Sequence, residues 1–294
     1  MELNKPIQWF PGHMAKTRRK LKESLSLVDM VIEVIDARIP LSSRNPELDA
    51  LATDKPRLLI MNKADMADEA ATQRWVAYFQ KQGYYVLPAD CKTGKGLQKL
   101  DGIMNEALAE QREIWQHKGM VGRPIHAMVV GIPNVGKSTF INRLAKSAKA
   151  KAEDRPGVTR GNQWFTLPSG AQLLDTPGVL WPKFDDQQAA LRLAFTGAIR
   201  DQILDCEELA CDLVLMLSRH YRSSFIARYK LSEPLPETAW ELLEEVGRKR
   251  GMLIAGGEVD TARAANMLLD EYRGGKLGRI TLEHPDDFRK ENAE

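Results

Sequence analysis

The chain is poor in cysteine and in long apolar runs. Its 294 residues hold three cysteines, Cys91, Cys206 and Cys211, an odd number with no CxxC pair. That argues against a disulfide framework or a zinc site, and it fits a reducing compartment. No apolar stretch approaches the ~18 residues needed to span a bilayer, so no membrane partner is expected. Asn4, Lys5, Pro6 and Gln8 interrupt the opening residues. No secretory leader is therefore expected, and a cytoplasmic location is. Internal repeats and low-complexity tracts are absent. The formal net charge of +2 names no partner, but the charge is uneven. Within residues 1–22, Lys5, Lys16, Arg18, Arg19, Lys20 and Lys22 stand against the single acid Glu2. An arm this basic suits an acidic polymer, with a solvated helix face as the competing reading.

What is present reads as alternating strands and helices. VDMVIEVID (28–36), RLLIMN (57–62), YYVLPA (84–89) and IHAMVVGI (125–132) are β-branched or apolar runs of strand length. ADEAATQRWVAYFQKQG, GLQKLDGIMNEALAEQREIW and STFINRLAKSA are helical in spacing. QWFTLP and AQLLD, separated by Ser169-Gly170, read as a hairpin-like pair. This alternation predicts a mainly parallel sheet with helices on both faces. After about residue 200 the texture turns helical, through CEELACDLVLMLSRHY, PETAWELLEEVGRKRG and DTARAANMLLDEYRGG. Asp260 is a candidate N-cap for the last of these, and LGRITLE near the end is strand-like. The length suggests two domains, placed at 1–204 and 205–294, the second a small all-α domain.

GIPNVGKS (131–138) matches the phosphate-loop pattern in full and lies between a strand and a helix, the context that pattern needs. The backbone of Asn134, Val135 and Gly136, with Lys137, Ser138 and Thr139 opening the helix, would wrap phosphates at the positive end of the helix dipole. Lys137 would reach the outer phosphates and Ser138 would ligate Mg²⁺. In LLDTPG (173–178), Asp175 would hold Mg²⁺ through water, and the Gly178 N–H would sense the terminal phosphate. In the intervening DRPGVTR, Thr159 is the natural further Mg²⁺ ligand; Thr166, in a strand-like run, is a poorer one. NKAD (62–65) follows the second strand. Asn62 and Asp65 suit the hydrogen-bonding edge of guanine, with Lys63 lying along the base and Ala64 between them. Adenine would leave the carboxylate unpaired, which argues against an ATPase or small-molecule kinase. ADCKTGKG (89–96) occupies the place of a second base-contacting loop, with Asp90 and Cys91 where Ser-Ala is usual. The parts run in the order NKAD, ADCK, GIPNVGKS, GVT, DTPG. This is a circular permutation of the usual GTPase order, which a sheet tolerates when it is cut at a surface loop. The expected fold class is therefore α/β, a circularly permuted P-loop GTPase domain followed by the small all-α domain. The permutation sets that second domain just after the phosphate-sensing DTPG.

WFPGHMAKTRR, VIDARIPLSSRNPEL and DTPGVLWPKF, together with the permuted order, resemble the ribosome biogenesis GTPase A family over essentially the whole chain. The resemblance implies a GTPase that binds precursors of the large (50S) ribosomal subunit late in bacterial assembly. It also implies hydrolysis stimulated by the particle and a helical carboxy-terminal domain on ribosomal RNA, with a monomer off the ribosome. Val179 stands where many GTPases place a catalytic Gln. The resemblance points instead to His13, in the PGHM turn, as the group that orients or deprotonates water. It also points to Asn134 as a ligand of a potassium ion bridging the phosphates. Two stretches suit RNA: the arm, with Lys16, Arg18 and Arg19 near Trp9 and Phe10, and SRHYRSSFIARYK (218–230), where Arg219, Arg222 and Arg228 interleave with aromatics. The competing reading of the second stretch makes its aromatics helix core. A GTP-gated RNA- or ribosome-binding module with incidental turnover is the alternative function.

Overall fold

The computed structural model describes residues 14–149, 163–176, 186–199, 201 and 204–288, with backbone alone at 14–18, 20 and 146–149. In chain order the helices are α1 (Met14–Leu25), α2 (Glu47–Leu51), α3 (Glu69–Lys81), α4 (Leu100–Ala107), α5 (Ala109–His117), α6 (Lys137–Lys149), α7 (Gln187–Phe195), α8 (Cys206–His220), α9 (Arg222–Tyr229), α10 (Ala239–Lys249) and α11 (Thr261–Arg273). The strands are β1 (Met30–Asp36), β2 (Arg57–Asn62), β3 (Tyr85–Pro88), β4 (His126–Val130), β5 (Gln163–Thr166) and β6 (Gln172–Asp175). They form one sheet in the order β3-β2-β1-β4-β6-β5. All neighbouring pairs are parallel except β5 with β6, which is antiparallel as the hairpin-like sequence predicted.

Every residue of β1 and β2 is buried. That is the expected state of central parallel strands, which are covered on both faces and so read as continuous apolar runs. One face packs against α1, whose Leu21 and Leu25 sit four residues apart and meet Val31, Met128 and Leu174. The other face meets α3 through Trp75 and Phe79, again four apart, with ring centroids 5.2 Å from each other. Asp68 caps α3 by accepting from the Ala71 N–H at 2.7 Å. A buried acid on such a strand needs partners, and Glu33 has them: Arg57 at 2.6 Å, Arg44 at 3.5 Å and the Asn45 N–H at 2.7 Å.

The chain lays down β1, β2 and β3 in one direction, then crosses back over β1 to place β4 on its other side. The β1/β4 junction is thus a topological switch point, where the loops at the carboxyl ends of the strands open a crevice. Asp36 ends β1, Asn62 ends β2, and the Gly131–Gly136 loop follows β4.

The described residues divide into two compact units at Asp185, and the chain from Thr281 onward returns to the first. Two sequence expectations shift here. The helical unit spans Asp185–Ile280 rather than starting at 205 and running to the end. It starts earlier because α7 buries Ala190, Leu191, Leu193, Ala194 and Phe195. Arg273 of α11 also donates to the last carbonyls of α7, Ala194 at 3.0 Å and Phe195 at 3.1 Å, and pairs with Asp201 at 2.7 Å. LGRITLE forms no strand. Its residues from Thr281 use polar side chains, rather than a backbone ladder, to hold the sheet unit's loops. The helices of the second unit are capped as local chemistry dictates: Asp205 for α8, Thr238 and Glu241 in a capping box for α10, and Asp260 for α11.

Candidate nucleotide-binding site

The loop between β4 and α6 is packed against its neighbours so tightly that two glycines are required. A Cβ on Gly131 would lie 2.8 Å from the Val34 carbonyl oxygen. Gly136 has φ +96°, and a Cβ there would collide with Asn62 Nδ2. Asn134 is also left-handed, at φ 62°, a conformation that Asn adopts more readily than most residues. Within the loop Val135 is buried, and beyond it Ser138 and Thr139 are exposed at the open start of α6. Lys137 is buried and its ammonium pairs with the Asp175 carboxylate at the end of β6. Thr176, the next residue, anchors that strand end by donating to the Val129 carbonyl at 2.8 Å.

The NKAD segment reaches this loop through two side chains. Asn62 Nδ2 donates to the Val135 carbonyl at 2.6 Å, and its Oδ1 accepts from the Cys91 N–H at 3.0 Å. Asn62 thus ties the loop after β4 to the loop after β3. Lys63 Nζ donates to Asp36 Oδ2 at 2.8 Å and to the Asn134 carbonyl at 2.9 Å. Ala64 is fastened to the third loop by its N–H to the Ala89 carbonyl at 3.2 Å. Asp65 is exposed. The Asp90 carboxylate accepts from Lys92 N–H at 2.8 Å, from Thr93 N–H at 3.2 Å and from the Thr93 hydroxyl at 2.5 Å, so it shapes its own loop. Cys91 contributes its backbone. Its thiol is buried, and burial, with the charges of Asp90 and Asp65, pushes it up to about 12.

Asp36 was not singled out in the sequence, although an acid closing a buried apolar run is a visible signal. Burial acts to raise its pKa, but the charges of Arg38 and Lys63 outweigh this and hold the carboxyl well below the usual range.

For Mg²⁺, the described donors are the Ser138 hydroxyl and the Asp175 carboxylate. An all-oxygen set of one or two protein ligands suits this hard cation, which keeps its waters and shares substrate phosphates. Among the described residues no group of three or more His, Cys, Asp or Glu forms a metal cluster. His13, Thr159 and Gly178 lie outside the described residues.

The proposed RNA contacts divide. Lys16 and Arg18 lie on α1 with side chains outside those described, and exposed Arg19 pairs with Glu23 at 3.5 Å. Arg219 is exposed at the end of α8. Arg222 pairs with Glu233 at 2.9 Å, and Arg228 with Glu271 at 2.5 Å. Phe225 and Tyr229 are buried, so they are core side chains of the helical unit rather than stacking platforms for bases.

Comparison with known proteins adds to this geometry. A family model described as 50S ribosome-binding GTPase matches residues 126–250. The chain is 48% identical over 282 residues to ribosome biogenesis GTPase A of Bacillus cereus, covering 96% of this chain and 95% of that protein. It is 35% identical over 301 residues to mitochondrial ribosome-associated GTPase 1 of Mus musculus, covering 94% and 90%. Among solved structures it resembles GNP-bound YlqF from T. maritima, with 29% identity, a TM-score of 0.62 and coverage of 92% of this chain and 99% of that one.

Proposed function

The chain belongs to the ribosome biogenesis GTPase A family of GTP-hydrolysing ribosome assembly factors, and from that premise we propose that it binds GTP in the β1/β4 crevice and acts late in maturation of the large ribosomal subunit. The observation that carries the site assignment is the Asn62 amide, which joins NKAD to the phosphate loop on one side and to the ADCK loop on the other. Asp65 then reads the guanine edge while Lys63 lies along the base. The backbone from Asn134 to Gly136, with the α6 N-terminus at Ser138 and Thr139, takes the phosphates.

Hydrolysis needs a water aligned with the γ-phosphorus, and charge stabilisation as the bond to the β–γ bridging oxygen breaks to leave GDP and phosphate. Lys137 exchanges Asp175 for the outer phosphates. Ser138, Asp175 and Thr159 would hold Mg²⁺, which would supply charge neutralisation, and the Gly178 N–H would meet the terminal phosphate. Val179 offers no hydrogen bond to the water, so His13 takes that task. Asn134 would hold a potassium ion, whose charge would serve where an arginine finger otherwise acts. The protein works in the cytoplasm as a monomer until it meets the precursor particle, with Lys16, Arg18, Arg19, Arg219 and Arg222 facing RNA.

The test is co-sedimentation with ribosomal subunits in GDP, GTP and a non-hydrolysable analogue, with GTP and ATP in competition. Nucleotide-independent sedimentation, or ATP competing as well as GTP, overturns the reading. Val179 also favours one alternative, a GTP-gated binding module with incidental turnover. Single-turnover hydrolysis that subunits do not accelerate would favour it.

A further inference from the structure

The stretch from Thr281 to Phe288 has no part in the function as proposed, yet its first three residues hold both the turn after β1 and the loop that carries the base-reading motif. Glu283 is 0% exposed. Its carboxylate accepts from Leu41 N–H at 2.7 Å, from Ser42 N–H at 3.1 Å and from the Ser42 hydroxyl. Its carbonyl accepts from Trp75 Nε1 at 2.9 Å. One residue earlier, Leu282 N–H donates to the Arg38 carbonyl at 2.8 Å. One before that, Thr281 Oγ1 accepts from Asp68 N–H at 3.0 Å. Three consecutive residues thus fasten the turn at 37–43, which follows β1, and the end of the 63–68 loop, which follows β2.

Those two loops meet at Lys63. Asp36 accepts from the Arg38 N–H at 3.0 Å, Nε at 2.9 Å and Nη2 at 2.8 Å, and from Lys63 Nζ at 2.8 Å. Ser43 Oγ accepts from the Asp36 N–H at 2.9 Å, so the same turn also holds the Asp36 backbone. Lys63 itself sits at φ 60°, a left-handed backbone that is strained in a residue other than glycine. A residue in that region stays there only when its surroundings over-determine it. The surroundings here are Asp36, the Asn134 carbonyl and the turn that Glu283 closes.

We infer that Glu283 is a positioning residue for guanine-nucleotide binding: it closes the 37–43 turn that carries Arg38 and sets Asp36 under Lys63, so the far end of the chain fixes the NKAD loop. The inference rests on the reading of NKAD as the guanine reader.

The test measures affinity for a fluorescent GDP analogue in the full chain, wild type against Glu283→Gln, Lys63→Met and the double variant, with thermal melts in parallel and ADP as competitor. Glu283→Gln keeps the shape but loses the charge that the Leu41 and Ser42 donors face. It should weaken GDP binding about tenfold in a chain that still melts cooperatively, and by much less in the Lys63→Met background, because residues acting through one contact are non-additive. A merely stabilising role for Glu283 would lower the melting temperature and give the same loss in both backgrounds, or none. Either result overturns the inference. Should Glu283→Gln not melt cooperatively, Ser42→Ala, which removes one donor from the same carboxylate, is read in the same cycle with the same two outcomes. A wild type that does not prefer GDP to ADP overturns the reading of NKAD and the inference with it. A wild type that does, with additive losses, overturns the inference alone.

Discussion

The Asn62 side chain bridges two loops 73 and 29 residues away in sequence, donating to Val135 O at 2.6 Å and accepting from Cys91 N–H at 3.0 Å. Both bonds are buried, so truncation orphans a carbonyl on one side and an N–H on the other. Asn62→Ala should weaken GDP binding by about tenfold or more, since each buried group left unpaired costs ~1–3 kcal/mol. Asn62→Asp should be no rescue, because its carboxylate cannot donate to Val135 O. Titration with a fluorescent GDP analogue checks both, and wild-type affinity in either variant counts against the bridge.

Lys137 and Asp175 neutralise each other in a buried pair. Removing one partner leaves a buried charge, at a cost of about 3–5 kcal/mol. Asp175→Asn should therefore lower the stability of the nucleotide-free protein by that order. Added GDP should restore part of the loss, because the phosphates then meet Lys137. Urea melts with and without GDP read this directly, and an equal loss in both conditions refutes it.

Glu271 links the helices of the second unit, accepting from Arg228 at 2.5 Å, from Tyr229 hydroxyl at 3.0 Å and from Arg250 at 3.2 Å. Burial works to raise its pKa, but the bonds and charges of these partners outweigh burial and hold it below the ordinary 4.5. A carboxyl with a depressed folded pKa contributes stability that is complete above the unfolded value and lost as pH falls through the folded one. Glu271→Gln should accordingly melt lower than wild type at pH 7, with the gap closing as pH drops below the ordinary 4.5. A gap independent of pH down to pH 3 would mean that packing, not charge, holds the site.

The hydrolysis step gives a paired expectation. His13→Ala should keep GTP affinity and lose subunit-stimulated turnover by about a hundredfold or more, the scale of a lost general base. Turnover should also be faster in KCl than in NaCl. Unchanged stimulated kcat removes His13 from the mechanism, and equal rates in the two salts remove potassium.

Much of this was legible in the sequence. GIPNVGKS between a strand and a helix, DTPG at a strand end and NKAD after an apolar run carry their own geometry, because each depends on residues a few positions apart. Asp260 was readable as an N-cap for the same reason. Long-range contacts set the rest. The unit boundary falls at Asp185 because Arg273 reaches back to the end of α7. Phe225 and Tyr229 look like stacking aromatics beside arginines until α9 buries them. Asp90 occupies a base-contacting position in the motif but spends its carboxylate on Thr93 and Lys92.

The sequence by itself determined the chemistry and the order of its parts: a phosphate loop, a base reader placed ahead of it, and therefore a permuted sheet. Local spacing suffices for that, since strand period, helix caps and loop glycines act over a few residues. Only the tertiary structure decided who holds whom. Asn62 became a bridge, Asp36 the seat of Lys63, and Glu283 the clasp on the turn beside it. Each is a buried polar group that must find its partner, and the partner lies wherever the fold brings a matching donor or acceptor, which no local pattern records.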